Sequence, residues 1–219
     1  LPISSPLAPQ AQRIVVNLIE GSWDDVSAGE LSKRVGKSRS SVSKYLAEIE
    51  AICPEAVSRA GRSTRLGRNG MGSAGLLERF DPYLRSPVSR RFRISYGASL
   101  DELRNAGARL AGLSALGQMS DLSAGEAYPT VAIPQEGLTG AMATLGEAGE
   151  ELPWWDEEGT DVEVWGYWDD IPIDLHDRSI GGLSSVGTLS LYLSLRGRYG
   201  DDVRAADAID RLREEICRQ

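Results

Sequence analysis

Apolar residues recur at helical spacing through the first part of the chain. Ile14, Val15, Leu18 and Ile19 share one face of a helix expected from Gln10 to Glu20, which Gly21 closes. Ser27-Ala28-Gly29-Glu30 has the spacing of a capping box just ahead of Leu31. In that motif the serine oxygen accepts from the third amide, and the glutamate reaches back to the serine amide. The short helix that follows carries Leu31 and Val35 and stops at Gly36. Ser38 is the next N-cap, opening a helix from Arg39 to Ala51. Val42, Leu46 and Ile49 lie on one side of it, and Arg39, Ser40, Ser43, Lys44 and Ala47 largely on the other. Ala56–Arg59 and Thr64–Leu66 read as short strands around Ala60-Gly61-Arg62-Ser63, where Gly61 suits a hairpin turn.

Between these elements and the second half, residues 67–75 are glycine-rich and read as loop. Leu76–Leu84 reads as a short helix interrupted at Pro82. Residues 1–9, with three prolines and two serines, read as a flexible arm. From there the pattern becomes mixed. Arg91–Tyr96 alternates as a strand, and Ser99 caps a helix carrying Leu100, Leu103, Ala106 and Leu110. Thr130–Ile133 is a short strand, Gly137–Leu145 a helix, and Asp161–Trp168 an alternating strand with Val162 and Val164 set against Glu163 and Trp165. Ile171–Leu175 reads as an edge strand because of Pro172. Ser185 is expected to open a helix with Leu189, Tyr192 and Leu193, and a last helix runs from Asp201 to Cys217. The expected class is α+β, a mixed α/β arrangement. Its parts are an arm (1–9), a winged helix-turn-helix (10–70), a linker (71–89) and an acidic α/β domain (90–219).

Charge sharpens this division. The 219 residues carry a formal net charge of −8, but residues 1–93 hold 15 bases and 9 acids, a balance of +6, while residues 94–219 hold 9 bases and 23 acids, a balance of −14. Between Arg109 and Arg178 there are 15 acids and no Lys or Arg. The basic part suits nucleic acid and the acidic part repels it. No apolar run reaches the ~18–20 residues of a membrane-spanning helix, and no basic-then-apolar leader precedes the first element. Cys53 and Cys217 stand 164 positions apart, which is neither a disulfide framework nor zinc spacing, so a cytoplasmic location is expected.

The stretch Leu31–Leu46 carries the most chemistry. A helix-turn-helix needs apolar contacts one turn apart (Leu31, Val35), a sharp turn (Gly36) and a capped second helix with an inner face (Ser38, Val42, Leu46). The outer N-terminal face must offer small polar and basic groups to the major groove. Lys37, Ser38, Arg39, Ser40, Ser41, Ser43 and Lys44 do so. The hairpin that follows is the expected wing, with Arg62, Ser63 and Arg65, beside Arg59, lying along the phosphates or entering the minor groove. Lys37 departs from the apolar residue common at that point of the turn. A basic helix face is often only a solvated one, but here cap, turn, polar helix and basic hairpin arrive in order.

In the acidic half, Asp161 and Glu163 lie on one side of a strand, with Asp174 and Asp177 nearby, so one reading is a two-carboxylate Mg²⁺ site of a nucleotidyltransferase-like enzyme. The favoured reading is a solvated strand face, because no glycine-rich phosphate loop or Lys/Arg clamp adjoins it in sequence. Trp154, Trp155, Trp165 and Trp168 read as core with a lid rather than as a protein interface or a base-stacking platform. His176, the single histidine, has no neighbours that complete a constellation, and Ser123–Glu126 is too short to carry chemistry. No catalytic residue, cofactor or metal is expected.

The order of elements, with Arg91–Tyr96, Leu122–Tyr128, Val131–Pro134, Asp161–Val164, Ser185–Leu195, Arg204–Asp207 and Leu212–Ile216, resembles the AbiEi-type antitoxins of type IV toxin–antitoxin systems over about residues 12–217. Gly187 replaces the proline usual in that family after Ser-Val. The resemblance implies a repressor of its own operon, acting on inverted repeats in double-stranded promoter DNA. It also implies an antitoxin domain opposing a nucleotidyltransferase-like toxin, without requiring a stable complex. A ligand-responsive or plasmid-maintenance winged-helix regulator remains open beside it.

Overall fold

The computed structural model describes residues 6–61, 63–94, 99–120, 129–145, 151–152, 159–167, 182–199 and 201–218. The fold is α+β. It separates into two compact units, Leu1–Arg85 with Arg213–Gln219, and Ser86–Leu212.

In the first unit, helix α1 (Pro9–Ile19) starts on a proline at its first position, where the missing N–H costs nothing. Its apolar residues are buried, and strand β1 (Val26–Ser27) follows. Ser27 then caps α2 (Ala28–Arg34) through the expected capping box: the Glu30 amide donates to Ser27 Oγ at 3.2 Å, and the Ser27 amide to Glu30 Oε2 at 3.3 Å. The Ser27 amide and then its hydroxyl, both donating to Glu30 Oε2, hold the Glu30 carboxyl below its ordinary pKa. Ser27→Ala is expected to lower stability by about 1 kcal/mol in chemical denaturation; an unchanged midpoint would remove the cap from the account. Helix α3 (Arg39–Ile52) buries Val42, Leu46 and Ile49 and packs on α1 and α2. Strands β2 (Val57–Ala60) and β3 (Ser63–Leu66) form the hairpin, and β3 also pairs with β1, giving an antiparallel sheet in the order β1-β3-β2.

Two boundaries differ from the sequence reading. Leu7 is buried, its amide donates to Tyr83 O at 3.1 Å, and Gln12 Nε2 donates to Leu7 O at 2.9 Å, so the arm has ended by residue 7. Much of the expected linker is α4 (Ser73–Phe80) followed by a 3₁₀ turn (Asp81–Tyr83), with Leu76, Leu77 and Phe80 fully buried and α4 packed on α1. Its Gly and Ser content resembles loop, but three apolar residues on one short helix supply a core face.

The second unit is built on a five-stranded sheet of order β5-β6-β8-β4-β7. Strand β4 (Val88–Ile94) begins three residues before the expected start. Ser99 and Glu102 form a second capping box on α5 (Leu100–Asn105). That helix is shorter than expected: Arg109–Leu110 forms β5 instead, and α6 (Gly112–Met119) follows. Next come β6 (Val131–Pro134), α7 (Leu138–Leu145), β7 (Glu151–Leu152) and β8 (Thr160–Trp165). Strand β8 is central, parallel to β6 and antiparallel to β4. Helix α8 (Thr188–Leu195) is capped by Gly187, not Ser185, which makes a parallel bridge to Leu110. Helix α9 (Val203–Arg218) follows, and its residues from Arg213 onward belong to the first unit. Among the described residues no helix is long and apolar enough to cross a membrane.

Candidate functional site

The α2–α3 turn explains why its polar residues face outward. Gly36 takes the left-handed conformation (φ 62°), which side-chain-bearing residues resist. The Lys37 amide donates back to Ser32 O at 3.1 Å and the Gly36 amide to Lys33 O at 3.3 Å, the paired bonds of a Schellman motif. Lys37 supplies no apolar contact there; instead Ser32 Oγ donates to Lys37 O at 2.6 Å. Ser38 immediately caps α3, accepting from the Ser41 amide at 3.3 Å, with the Ser40 and Ser41 hydroxyls 2.9 and 3.0 Å away. The sharp reversal leaves Lys37, Ser38, Arg39, Ser40, Ser43 and Lys44 exposed and Ser41 half-buried, over the buried Val42 and Leu46. Among the described residues, Lys37, Arg39 and Lys44 have no ion-pair partner. The positive end of the helix and three unpaired cations thus share one exposed surface.

The hairpin is different. Ser63 is exposed at the start of β3, and Arg62 lies outside the described residues. Arg65 is engaged: its Nε donates to Asp25 Oδ1 at 2.5 Å and its Nη2 to Asp25 O. The bond from Arg65 holds the Asp25 carboxyl below its ordinary range. Arg59 forks onto Glu50 of α3, with Nε to Oε1 at 3.0 Å. Arg65 therefore braces β3 to the turn before β1, and any phosphate reaching it competes with a carboxylate already in place. No local sequence pattern marks that brace, since Asp25 is 40 positions from Arg65.

The second unit carries a feature that sequence spacing did not reveal. Cross-strand pairing on one face of β4 and β8 sets Arg91 opposite Glu163 and Arg93 opposite Asp161. Glu163 is only 2% exposed, so it is not on a solvated face. A buried carboxylate requires partners, and it has three. Arg91 Nε donates to Oε1 at 2.9 Å, Arg198 Nη1 to the same oxygen at 3.0 Å, and the buried Trp165 Nε1 to Oε2 at 3.1 Å. Asp161 takes Arg93 with both oxygens, at 2.5 and 2.8 Å. A cavity of about 350 Å³ opens beside this network, lined by Arg91, Asp161, Glu163 and Arg198 with Gly112, Thr130 and Tyr199. The guanidinium clamp that the sequence between 110 and 177 lacks comes from outside that window.

All four oxygens of Asp161 and Glu163 accept from arginine or indole donors, which is not how a Mg²⁺ site holds its carboxylates. Among the described residues no cluster of three or more His, Cys, Asp or Glu is arranged to hold a metal ion. Asp174, Asp177, His176, Ser123–Glu126, Trp154, Trp155 and Trp168 lie outside the described residues, as does the expected Ile171–Leu175 strand. Cys53 is a buried free thiol, and burial pushes its pKa up. Compared with known proteins, the chain matches no family model, no curated protein and no solved structure.

Proposed function

We propose that this chain is a DNA-binding transcriptional repressor of its own operon. In this reading the first unit is a winged helix-turn-helix: α2 and α3 are the helix pair, and β2–β3 is the wing. The observation that carries it is the back-to-back Schellman turn and N-cap at Gly36 and Ser38, which leaves Lys37, Arg39 and Lys44 without an ion-pair partner among the described residues, above the buried Val42 and Leu46. Small serines around Arg39 let the helix N-terminus approach base edges closely. Arg39 and Lys44 are the base- and phosphate-reading residues. Because Arg59 and Arg65 are held by carboxylates, α3 carries most of the recognition and the wing adds little.

The second unit is read as the antitoxin domain, acting in the cytoplasm against a nucleotidyltransferase-like toxin. That reading rests on the sequence resemblance. The committed carboxylates of Asp161 and Glu163 favour it over a Mg²⁺-dependent enzyme.

The test is a titration onto the chain's own upstream DNA beside a scrambled fragment, at two salt concentrations. Selective binding is expected, with log affinity falling at a slope of roughly −0.9 per phosphate neutralised. Arg39→Ala is expected to weaken selective binding by about 1–3 kcal/mol, the range for a bidentate guanine contact. Equal, weak binding to both fragments would overturn the reading.

A further inference from the structure

We infer that the cavity beside Glu163 is a binding site for a small organic anion, whose carboxylate or phosphate sits between Arg91 and Arg198. This inference concerns the second unit alone and is independent of the DNA-binding reading.

The first argument is donor accounting. A guanidinium carries five N–H donors in a fixed fork and no acceptor. Arg91 uses Nε on Glu163, and Arg198 uses Nη1. No other side-chain hydrogen bond of either arginine forms among the described residues. Both line the cavity. The carboxylates there are engaged: Glu163 Oε1 receives two arginines, while Glu163 Oε2 receives Trp165 and each Asp161 oxygen receives Arg93. An oxyanion entering the cavity finds open N–H groups on both arginines, whereas a cation finds two guanidinium groups beside it.

Net charge agrees. Arg91 and Arg198 both face the one Glu163 carboxylate, two positive groups against one negative, which leaves one positive charge in excess at that point. In a recessed site that excess acts through a lower dielectric than on open surface.

Preorganisation is the third argument. One carboxylate oxygen anchors both forks, and that carboxylate is itself fixed by a buried indole. Arg198 also stands over the Tyr199 ring, 5.2 Å from its centroid. Two arginines already held in place lose little side-chain freedom when an anion arrives, which favours binding. The wall is closely fitted at Gly112, which adopts φ 55° and where an added Cβ would meet the Thr130 side chain at 2.9 Å. At about 350 Å³ the cavity is at the small end of ligand sites, roughly 300–1,000 Å³. It suits an organic acid or a compact phosphate monoester rather than a polymer.

The test uses the full-length chain with two probes, benzoate and inorganic phosphate, against a sodium chloride control of matched ionic strength. The readouts are calorimetry and the Trp165 indole N–H resonance, which reports directly on Glu163 Oε2. A saturable shift is expected with at least one probe; which one responds decides between carboxylate and phosphate. Arg91→Gln and Arg198→Gln are each expected to weaken binding at least tenfold. Arg104→Gln, which removes a charge elsewhere in the unit, is expected to leave it unchanged. Thermal unfolding of each variant checks that it remains folded, and Arg91→Lys provides a second variant that keeps the charge but loses the fork. Failure of both probes to saturate at millimolar concentration overturns the site. So does a loss with Arg104→Gln equal to that with Arg91→Gln, which would mean diffuse electrostatics.

Discussion

Phe80→Ala is expected to lower the stability of the first unit by about 3–5 kcal/mol, the range for removing a buried aromatic ring. Phe80 is the last residue of α4, is fully buried, and shares that state with Leu76 and Leu77. Helix α4 packs on α1, whose Ile14, Val15 and Leu18 are also fully buried. A truncation here leaves a cavity in the core that supports α3. Since a domain has only about 5–15 kcal/mol in all, the variant should show rapid amide exchange in α1 under native conditions. Exchange in β8, within the other unit, should stay slow. A true linker at 71–89 would tolerate the change, so unchanged exchange in α1 would restore the sequence reading of that stretch.

What the sequence discloses here is local. The capping box at Ser27, the caps at Ser38 and Ser99, the turn at Gly36 and the hairpin around Gly61 each depend on residues a few positions apart. Readings failed where the deciding partner is distant. Leu110 fits the apolar spacing of a helix opened at Ser99, yet it pairs with Val131 in β5 because a sheet edge was available. Ser185 is a fitting N-cap by type, yet it is drawn into a bridge with Leu110, 75 positions away, and the helix starts two residues later.

The candidate sites divide in the same way. The exposed face of α3 follows from helical periodicity and one glycine turn, so Lys37 to Lys44 could be named in advance. Arg65 could not be placed, because its partner Asp25 is 40 positions away. Glu163 is the extreme case. A run without Lys or Arg from 110 to 177 reads as uncompensated acid, but the compensating arginines lie 72 and 35 positions from Glu163. Strand pairing delivers Arg91, and the turn after α8 delivers Arg198.

Glu163→Ala is expected to lower the stability of the second unit by about 3 kcal/mol, the lower end of the range for breaking a buried ion pair. Two effects oppose each other. The substitution removes the Glu163 acceptor from the Trp165 indole N–H, which is buried. It also releases Arg91 and Arg198, but their side chains are 40% and 35% exposed and can turn to solvent, which holds the loss below the upper end. Glu163→Gln keeps the volume and one acceptor oxygen, so its cost should be smaller. Asp161→Asn should cost less than about 1 kcal/mol, because Asp161 is 42% exposed and water can take over from Arg93. The expected order in urea denaturation is therefore Glu163→Ala, then Glu163→Gln, then Asp161→Asn. An Asp161→Asn loss as large as that of Glu163→Ala would show that burial is not what makes Glu163 matter, and the network would reduce to ordinary cross-strand charge pairing.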